Sequence, residues 1–308
     1  MTHSRDLTGV HLEKPSIVTI GVFDGVHLGH QTLIRKLVAE ARATHRYAVV
    51  VTFDPHPDIF LRGLEGRYYL NTPEERADLL LSFGIDYVIT LTFDDALRHI
   101  RAADFVVQLR EHLQMTSLWV GSDFAMGYKR EGNVDFLEIQ GGEKGFTVNT
   151  LDLIMAESTT ISSTGIRDAL LRGDVKQAAE WLGRSYSVTG EVVHGLKRGR
   201  EIGFPTANLE TWNELVLPKN GIYAGWAFFD DQSYMAATNV GVRPHFDGED
   251  VTVESYLLDF DGDLYGKQLT VTFDVHLRDE MRFESLEALI AQITADVQIT
   301  REHLMQKA

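Results

Sequence analysis

The chain contains no cysteine, which excludes disulfides, thiolate metal sites, iron–sulfur clusters and cysteine nucleophiles together. That absence fits a reducing compartment. It also lacks a run of about 18 apolar residues, so no membrane-spanning helix is expected. Its first residues, MTHSRDLTGVHLEKPS, lack the apolar segment of a signal peptide, and a cytoplasmic location is the expectation. Positive charge is scarce: 29 Lys and Arg stand against 45 Asp and Glu, a formal net charge of −16 over 308 residues. Nucleic-acid backbones and anionic lipid surfaces repel such a chain at long range, so neither is an expected partner. No internal repeat or low-complexity stretch is present. Hydrophobic residues make up 44%, enough to build packed cores. At about 150 residues per domain, the length suggests two.

The first half alternates strand-like and helix-like segments. Ser16 to Phe23 and Tyr47 to Phe53 are β-branched apolar runs. Between them Leu33, Ile34, Leu37, Val38 and Ala41 fall at helical period. Thr72-Pro73-Glu74-Glu75 reads as an N-cap with proline and acids in the first turn of a helix ending before Gly84. A strand at Tyr87 to Leu91, a helix at Ala103 to Leu113 and a strand at Leu118 to Val120 complete a βαβ pattern with a parallel sheet. Two short helical patterns follow, Gly165 to Arg172 and Val175 to Leu182. The period then switches to strands at Ser187 to Val193, Gly221 to Phe229, Ser233 to Val240, Thr252 to Asp259 and Gln268 to Leu277. Asp261-Gly262 predicts a hairpin between the last two. Glu284 to Leu304 is an amphipathic closing helix, expected to cover a barrel edge, with packing on another subunit as the alternative. Residues 1–183, with a helical linker at about 165–183, form the first expected domain, and 184–308 the second.

The strongest local signal is GVFDGVHLGH, Gly21 to His30, which follows a strand and enters a helix. A helix start offers unpaired N–H groups and a positive dipole end to phosphate. Two imidazoles there can stabilise charge building on a leaving pyrophosphate. The alternative is a polar turn with two solvated histidines. ISSTGIR, Ile161 to Arg167, places Ser162, Ser163 and Thr164 before a helix with Arg167 in its first turn, an anion cradle or a plain N-cap run.

In the second half, GLKRGREIGFPTANL, Gly195 to Leu209, spaces Gly195, Gly199 and Gly203 by four and clusters Lys197, Arg198 and Arg200. A cationic island in so acidic a chain suggests an anionic ligand; a solvated charge run is the ordinary alternative. Thr206 and Asn208 bring hard oxygen donors suited to Mg²⁺ beside phosphates. On the strand Thr252 to Tyr256, Glu254 shares a face with Thr252 and Tyr256. A lone strand glutamate is more often solvated than catalytic.

HLGH with ISSTGIR resembles the nucleotidyltransferase superfamily. Class I aminoacyl-tRNA synthetases share the first motif, but their lysine-rich second motif is absent here. With FDPHP (Phe53 to Pro57) and GSDFAMGYKREGN (Gly121 to Asn133), the match becomes specific to the bacterial bifunctional riboflavin kinase/FMN adenylyltransferase family. Gly195 to Leu209 resembles its flavokinase signature, and LPKNGIYAGW, NVGVRPHF and LLDFDGDLYGK extend the likeness over about 17–299. The resemblance implies a Rossmann-like α/β nucleotidyltransferase domain, followed by a small antiparallel flavokinase barrel with a terminal helix. It implies two steps, with ATP as co-substrate, Mg²⁺ as cofactor and FMN and FAD as products: riboflavin to FMN, then FMN to FAD with release of pyrophosphate.

By the same resemblance Glu254 is the base for the ribityl hydroxyl, and Thr206 and Asn208 hold Mg²⁺. Gly21, Phe23, His27, Gly29, His30, Ser163, Thr164 and Arg167 serve ATP in the first domain. Gly195, Lys197, Gly199, Gly203 and Pro205 do so in the second. Asp123, Phe124 and Asn239 contact flavin. The chain departs from the family pattern at Gly165 and at Ala125-Met126, where arginine and Arg-Phe are usual, and at His245, where threonine is common. These departures keep open a kinase with a weakened first domain. A non-catalytic flavin-binding protein is the third reading. DFDGD (Asp259 to Asp263) and GDLYGKQ (Gly262 to Gln268) fail as calcium and Walker A loops, lacking the required glutamate and Ser/Thr.

Overall fold

The computed structural model describes residues 2–152, 155–156, 159–195, 199, 202–245 and 248–306. The chain divides into two compact units, Met1–Gly66 with Asn71–Ser163, and Arg67–Leu70 with Thr164–Ala308.

The first unit runs β1 (Thr2–Ser4), β2 (Ser16–Ile20), α1 (Leu28–Ala43), β3 (Tyr47–Asp54), α2 (Pro57–Arg62), α3 (Pro73–Ser82), β4 (Tyr87–Thr92), α4 (Asp95–Arg98), α5 (Ala102–Leu113), β5 (Met115–Gly121), β6 (Ala125–Met126), β7 (Gly132–Asn133), α6 (Val134–Lys144) and β8 (Thr147–Leu151), then a small antiparallel pair, β9 (Met155–Ala156) and β10 (Thr159–Thr160). Six strands form one parallel sheet in the order β1-β4-β3-β2-β5-β8. Every residue of β2 is buried, as its unbroken SIVTI run requires of a strand covered on both faces. Helix α1 buries Leu33, Ile34, Leu37 and Ala41. Thr72 and Glu75 form a reciprocal capping box on α3. Successive connections leave β2 and β5 in opposite directions, so the crevice beyond their carboxyl ends is where a ligand is expected in such a sheet.

The second unit contains α7 (Ser163–Leu171, from its second residue on), α8 (Val175–Leu182), β11 (Tyr186–Val193), β12 (Ala207–Thr211), β13 (Gly221–Phe229), β14 (Gln232–His245), β15 (Gly248–Leu257), β16 (Gln268–Phe273), β17 (Val275–Arg278) and α9 (Leu286–Met305). The order β14-β15-β12-β11-β16-β13 closes through β13–β14 pairing into an antiparallel barrel of six strands, with β17 on β13. Ile166, Ala169, Leu170, Val175, Ala178 and Leu182 of α7 and α8 are buried in the same core as Val188, Val253 and Val271. The helices read as a linker thus pack with the barrel, and the division between units falls at Ser163/Thr164. Arg67–Leu70 belongs to this unit too, with an isolated parallel bridge between Tyr69 and Leu215. Helix α9 packs on β13 and β14.

Three expectations fail. Ser163 and Thr164 lie in the first turn of α7 rather than before it, and the strand expected at Gln268 to Leu277 divides at Asp274 into β16 and β17. Asp261-Gly262 does not close a hairpin, because β12 and β11 lie between β15 and β16 in the barrel. Residues 258–267 form a longer crossing, anchored by buried Leu258 and Leu264. The turn chemistry was read correctly, but pairing is decided by which strands close the barrel.

Candidate active sites

In the first unit β2 ends at Ile20 and the chain turns through Gly21 into α1. His27 caps α1, its Nδ1 accepting from the His30 N–H at 3.4 Å. The two imidazoles stack, with centroids 3.6 Å apart and planes 18° from parallel. Phe23, buried and at φ 56°, sets its ring edge-on to His30 at 5.1 Å. Arg76 of α3 is fully buried and donates from Nη2 to the Phe53 carbonyl at 2.9 Å. Burial holds the His30 pKa well below its ordinary value, and the neighbouring His27 and Arg76 push the same way. His30 Nδ1 is buried without a hydrogen-bond partner. Ser163 Oγ donates to the Asp24 carbonyl at 2.8 Å, tying the second motif to the first.

Beyond the sheet's carboxyl edge lies a cavity of about 750 Å³, lined by Gly21, Asp123 and Phe124 and by Phe53, His56 and Phe93. Thr164 and Arg167 belong to the second unit. There Arg167 is buried, donates from Nε to the Tyr68 carbonyl at 2.6 Å and lies 3.9 Å over that ring.

In the second unit β12, β15 and β14 set Asn208, Glu254 and Asn239 in one row, since Glu254 pairs with Asn208 on one side and Asn239 on the other. Their strand neighbours Leu209, Val253, Ser255 and Val240 are buried, so the row faces outward. One cavity of about 290 Å³ is lined by Glu254, Asn239, Arg278 and Phe283 and by Leu289 and Ile293 of α9. A second, of about 380 Å³, is lined by Gly195, Pro205, Asn208, Phe260 and Tyr265. Gly199 and Thr206 line both. A Cβ at Gly195 would stand 2.5 Å from the Asn208 amide nitrogen, so any larger residue there would displace the Asn208 side chain. Gly203 takes φ +88°. Lys197, Arg198 and Arg200 lie outside the described residues.

The donor set suits Mg²⁺. Thr206 and Asn208 contribute neutral hard oxygens to one cavity, and Mg²⁺ keeps waters and takes its remaining ligands from substrate phosphates. Among the described residues no group of three or more His, Asp or Glu forms an all-protein cage. Asn239 Oδ1 is buried with no hydrogen-bond partner, an acceptor that a ligand hydroxyl or N–H would satisfy. Arg278 makes a double hydrogen bond to Asp296 at 2.6–3.1 Å, and Gln292 adds a third donor to that carboxylate. Burial raises the Glu280 carboxyl pKa against the opposing pull of Arg278.

Sequence reading missed Arg76, His56, Arg278, Glu280 and the α9 wall. His56 sat within a motif already singled out. The others carry no local signal, since each reaches its site through packing of a distant segment.

Comparison with known proteins follows this division. A FAD synthetase family model matches residues 10–165, and a riboflavin kinase model matches residues 182–304. The chain is 39% identical to a Pseudomonas fluorescens protein named bifunctional riboflavin kinase/FMN adenylyltransferase, covering 95% of this chain and 96% of that one. It is 35% identical to the Escherichia coli K12 protein of the same name, covering 94% and 93%. A Streptococcus pneumoniae crystal structure titled as a macrolide-efflux protein superposes with a TM-score of 0.88 at 31% identity, covering 97% and 98%. That title names efflux, whereas the family models and these relatives name two transferase activities. Among the described residues no helix is long and apolar enough to cross a membrane.

Proposed function

The chain belongs to the bifunctional riboflavin kinase/FMN adenylyltransferase family, and we propose that it makes FAD from riboflavin in two ATP-dependent steps, one in each unit. The observation that carries the reading is the pair of second-unit cavities meeting at Gly199 and Thr206, with Glu254 on one and Asn208 on the other. Two substrates that exchange a phosphoryl group must bind in adjoining spaces, so that the attacking oxygen reaches the phosphorus.

In the kinase step riboflavin occupies the cavity under α9, and the nucleotide occupies the cavity beside Gly195 and Pro205. Glu254 takes the proton of the ribityl 5′-hydroxyl as its oxygen attacks the γ-phosphorus. The bond to the β,γ-bridging oxygen breaks, leaving FMN and ADP. Thr206 and Asn208 would hold Mg²⁺, which neutralises charge on the phosphates. Asn239 accepts from the flavin. Gly199 and Gly203 approach the nucleotide, and Lys197 serves it by the resemblance alone.

In the first unit an FMN phosphate oxygen attacks the α-phosphorus of a second ATP, and pyrophosphate leaves. FMN phosphate is ionised at neutral pH, so positioning and charge stabilisation dominate. His27 and His30 serve the leaving pyrophosphate. Gly21, Phe23, Gly29 and Ser163 shape its site, and Asp123 and Phe124 meet the flavin. The assignment of 1–183 to adenylyl transfer and 184–308 to the kinase is part of the same proposal, with α7 and α8 packed on the barrel. Riboflavin, FMN and ATP, all small molecules, fit a cytoplasmic enzyme.

The test is to incubate the protein with riboflavin, ATP and Mg²⁺ and to chromatograph the flavins over time. FAD appearing after FMN is the expected result. FMN that persists would leave only the kinase, and unchanged riboflavin would exclude both activities.

A further inference from the structure

The turn Gly127–Gly132 is pinned at three points to the start of α5. Gly127 and Gly132 press on Ala102 so closely that an added Cβ would come within 2.6 and 2.5 Å of its atoms. Glu131 accepts from the Ala102 N–H at 2.9 Å and from Arg101 Nε at 2.7 Å. Between these anchors Lys129 and Arg130 are consecutive non-glycine residues at φ 55° and 60°. Left-handed backbone at two successive side-chain-bearing residues costs free energy, and it persists only where the surroundings impose it. Both side chains are exposed and line the rim of the 750 Å³ cavity.

Nearby cations are neutralised: Arg98 pairs with Asp95 at 2.9 Å and Arg101 with Glu131. Lys129 and Arg130 have no carboxylate partner among the described residues. Arg130 donates to the Asp123 carbonyl at 3.3 Å, and Lys129 Nζ stands 5.2 Å from the centre of the Tyr128 ring, itself stacked on His99. Asp58 and Asp123 also line the cavity, so positive charge is concentrated on this one turn.

We propose that Lys129 and Arg130 form a preorganised clamp for a phosphate group of a substrate entering the first-unit cavity. A rigid turn lowers the ordering cost that two flexible cationic side chains would otherwise impose on binding. An arginine beside a lysine suits phosphate oxygens. The inference rests on the adenylyltransferase reading. The phosphate is either the monoester of FMN or the triphosphate of ATP, and kinetics separate them.

The experiment uses the full chain carrying Lys129→Gln and Arg130→Gln together. In FAD formation from supplied FMN, KM for one substrate should rise about tenfold or more, with kcat changed less. A rise confined to FMN identifies the monoester, and one confined to ATP the triphosphate. The charge-conserving pair Lys129→Arg and Arg130→Lys should recover most of the loss. The pair Lys129→Gly and Arg130→Gly eases the backbone but removes charge, and should behave like the glutamine pair. A circular dichroism spectrum and a urea midpoint matching wild type serve as the folding control. Calorimetric titration with FMN and with ATP reads the same loss without turnover. KM values within about twofold of wild type together with unchanged isotherms overturn the clamp. Failure of the wild-type chain to make FAD overturns the adenylyltransferase reading instead.

Discussion

The His27 and His30 imidazoles lie face to face across Gly29, 3.6 Å between centroids, and burial keeps His30 neutral near pH 7. An unfolded chain binds a proton at His30 below about pH 6.5, its ordinary value, while the folded one resists. Stability of the first unit therefore falls as pH drops from 6.5 toward the depressed folded value. Denaturant midpoints should be lower at pH 5 than at pH 7.5, and His30→Asn should shrink the difference. An equal midpoint at both values would contradict the buried neutral imidazole.

Catalytically, His27→Asn or His30→Asn should each lower FAD formation from FMN about 100-fold, the scale of one lost donor to developing negative charge. FMN formation from riboflavin should be unchanged. Parallel loss of both reactions in a folded variant would refute the assignment of these rings to the first unit's reaction alone.

Glu254→Gln should lower FMN formation by about 10²–10⁴, while FAD synthesis from supplied FMN continues. A discontinuous flavin assay with each starting substrate decides this. Retained kinase activity would remove Glu254 from the role of base.

Asn208→Ala should raise the Mg²⁺ concentration for half-maximal kinase rate by about tenfold, and EDTA should abolish the rate. A variant with slower turnover but an unshifted Mg²⁺ dependence would point to nucleotide positioning instead.

Asp296→Asn leaves Arg278 without its charge partner, in a pair whose side chains are 17% and 5% exposed. The loss should be about 3 kcal/mol in urea unfolding of the second unit. KM for riboflavin should rise too, because Arg278 and Asp296 line the cavity under α9. An unchanged midpoint would mean that α9 is held by its apolar face alone.

The sequence by itself determined the two fold classes, since SIVTI and YAVVVTF are short, β-branched apolar runs that read as strands of a covered parallel sheet and the later segments alternate at period two. It also exposed GVFDGVHLGH and the glycine-rich segment before Thr206, because each chemistry is carried on contiguous residues. Tertiary structure decided what depends on distance along the chain. Barrel closure put β12 between β11 and β15, set Asn208 beside Glu254, and turned an Asp-Gly hairpin signal into a crossing loop. Packing buried Arg76 and brought Arg278 and Asp296 to one cavity wall. Close approach of Gly127 and Gly132 to Ala102 fixed the turn that presents Lys129 and Arg130. Local periodicity specifies elements, whereas long-range pairing and burial choose their neighbours, and the sites are made of neighbours.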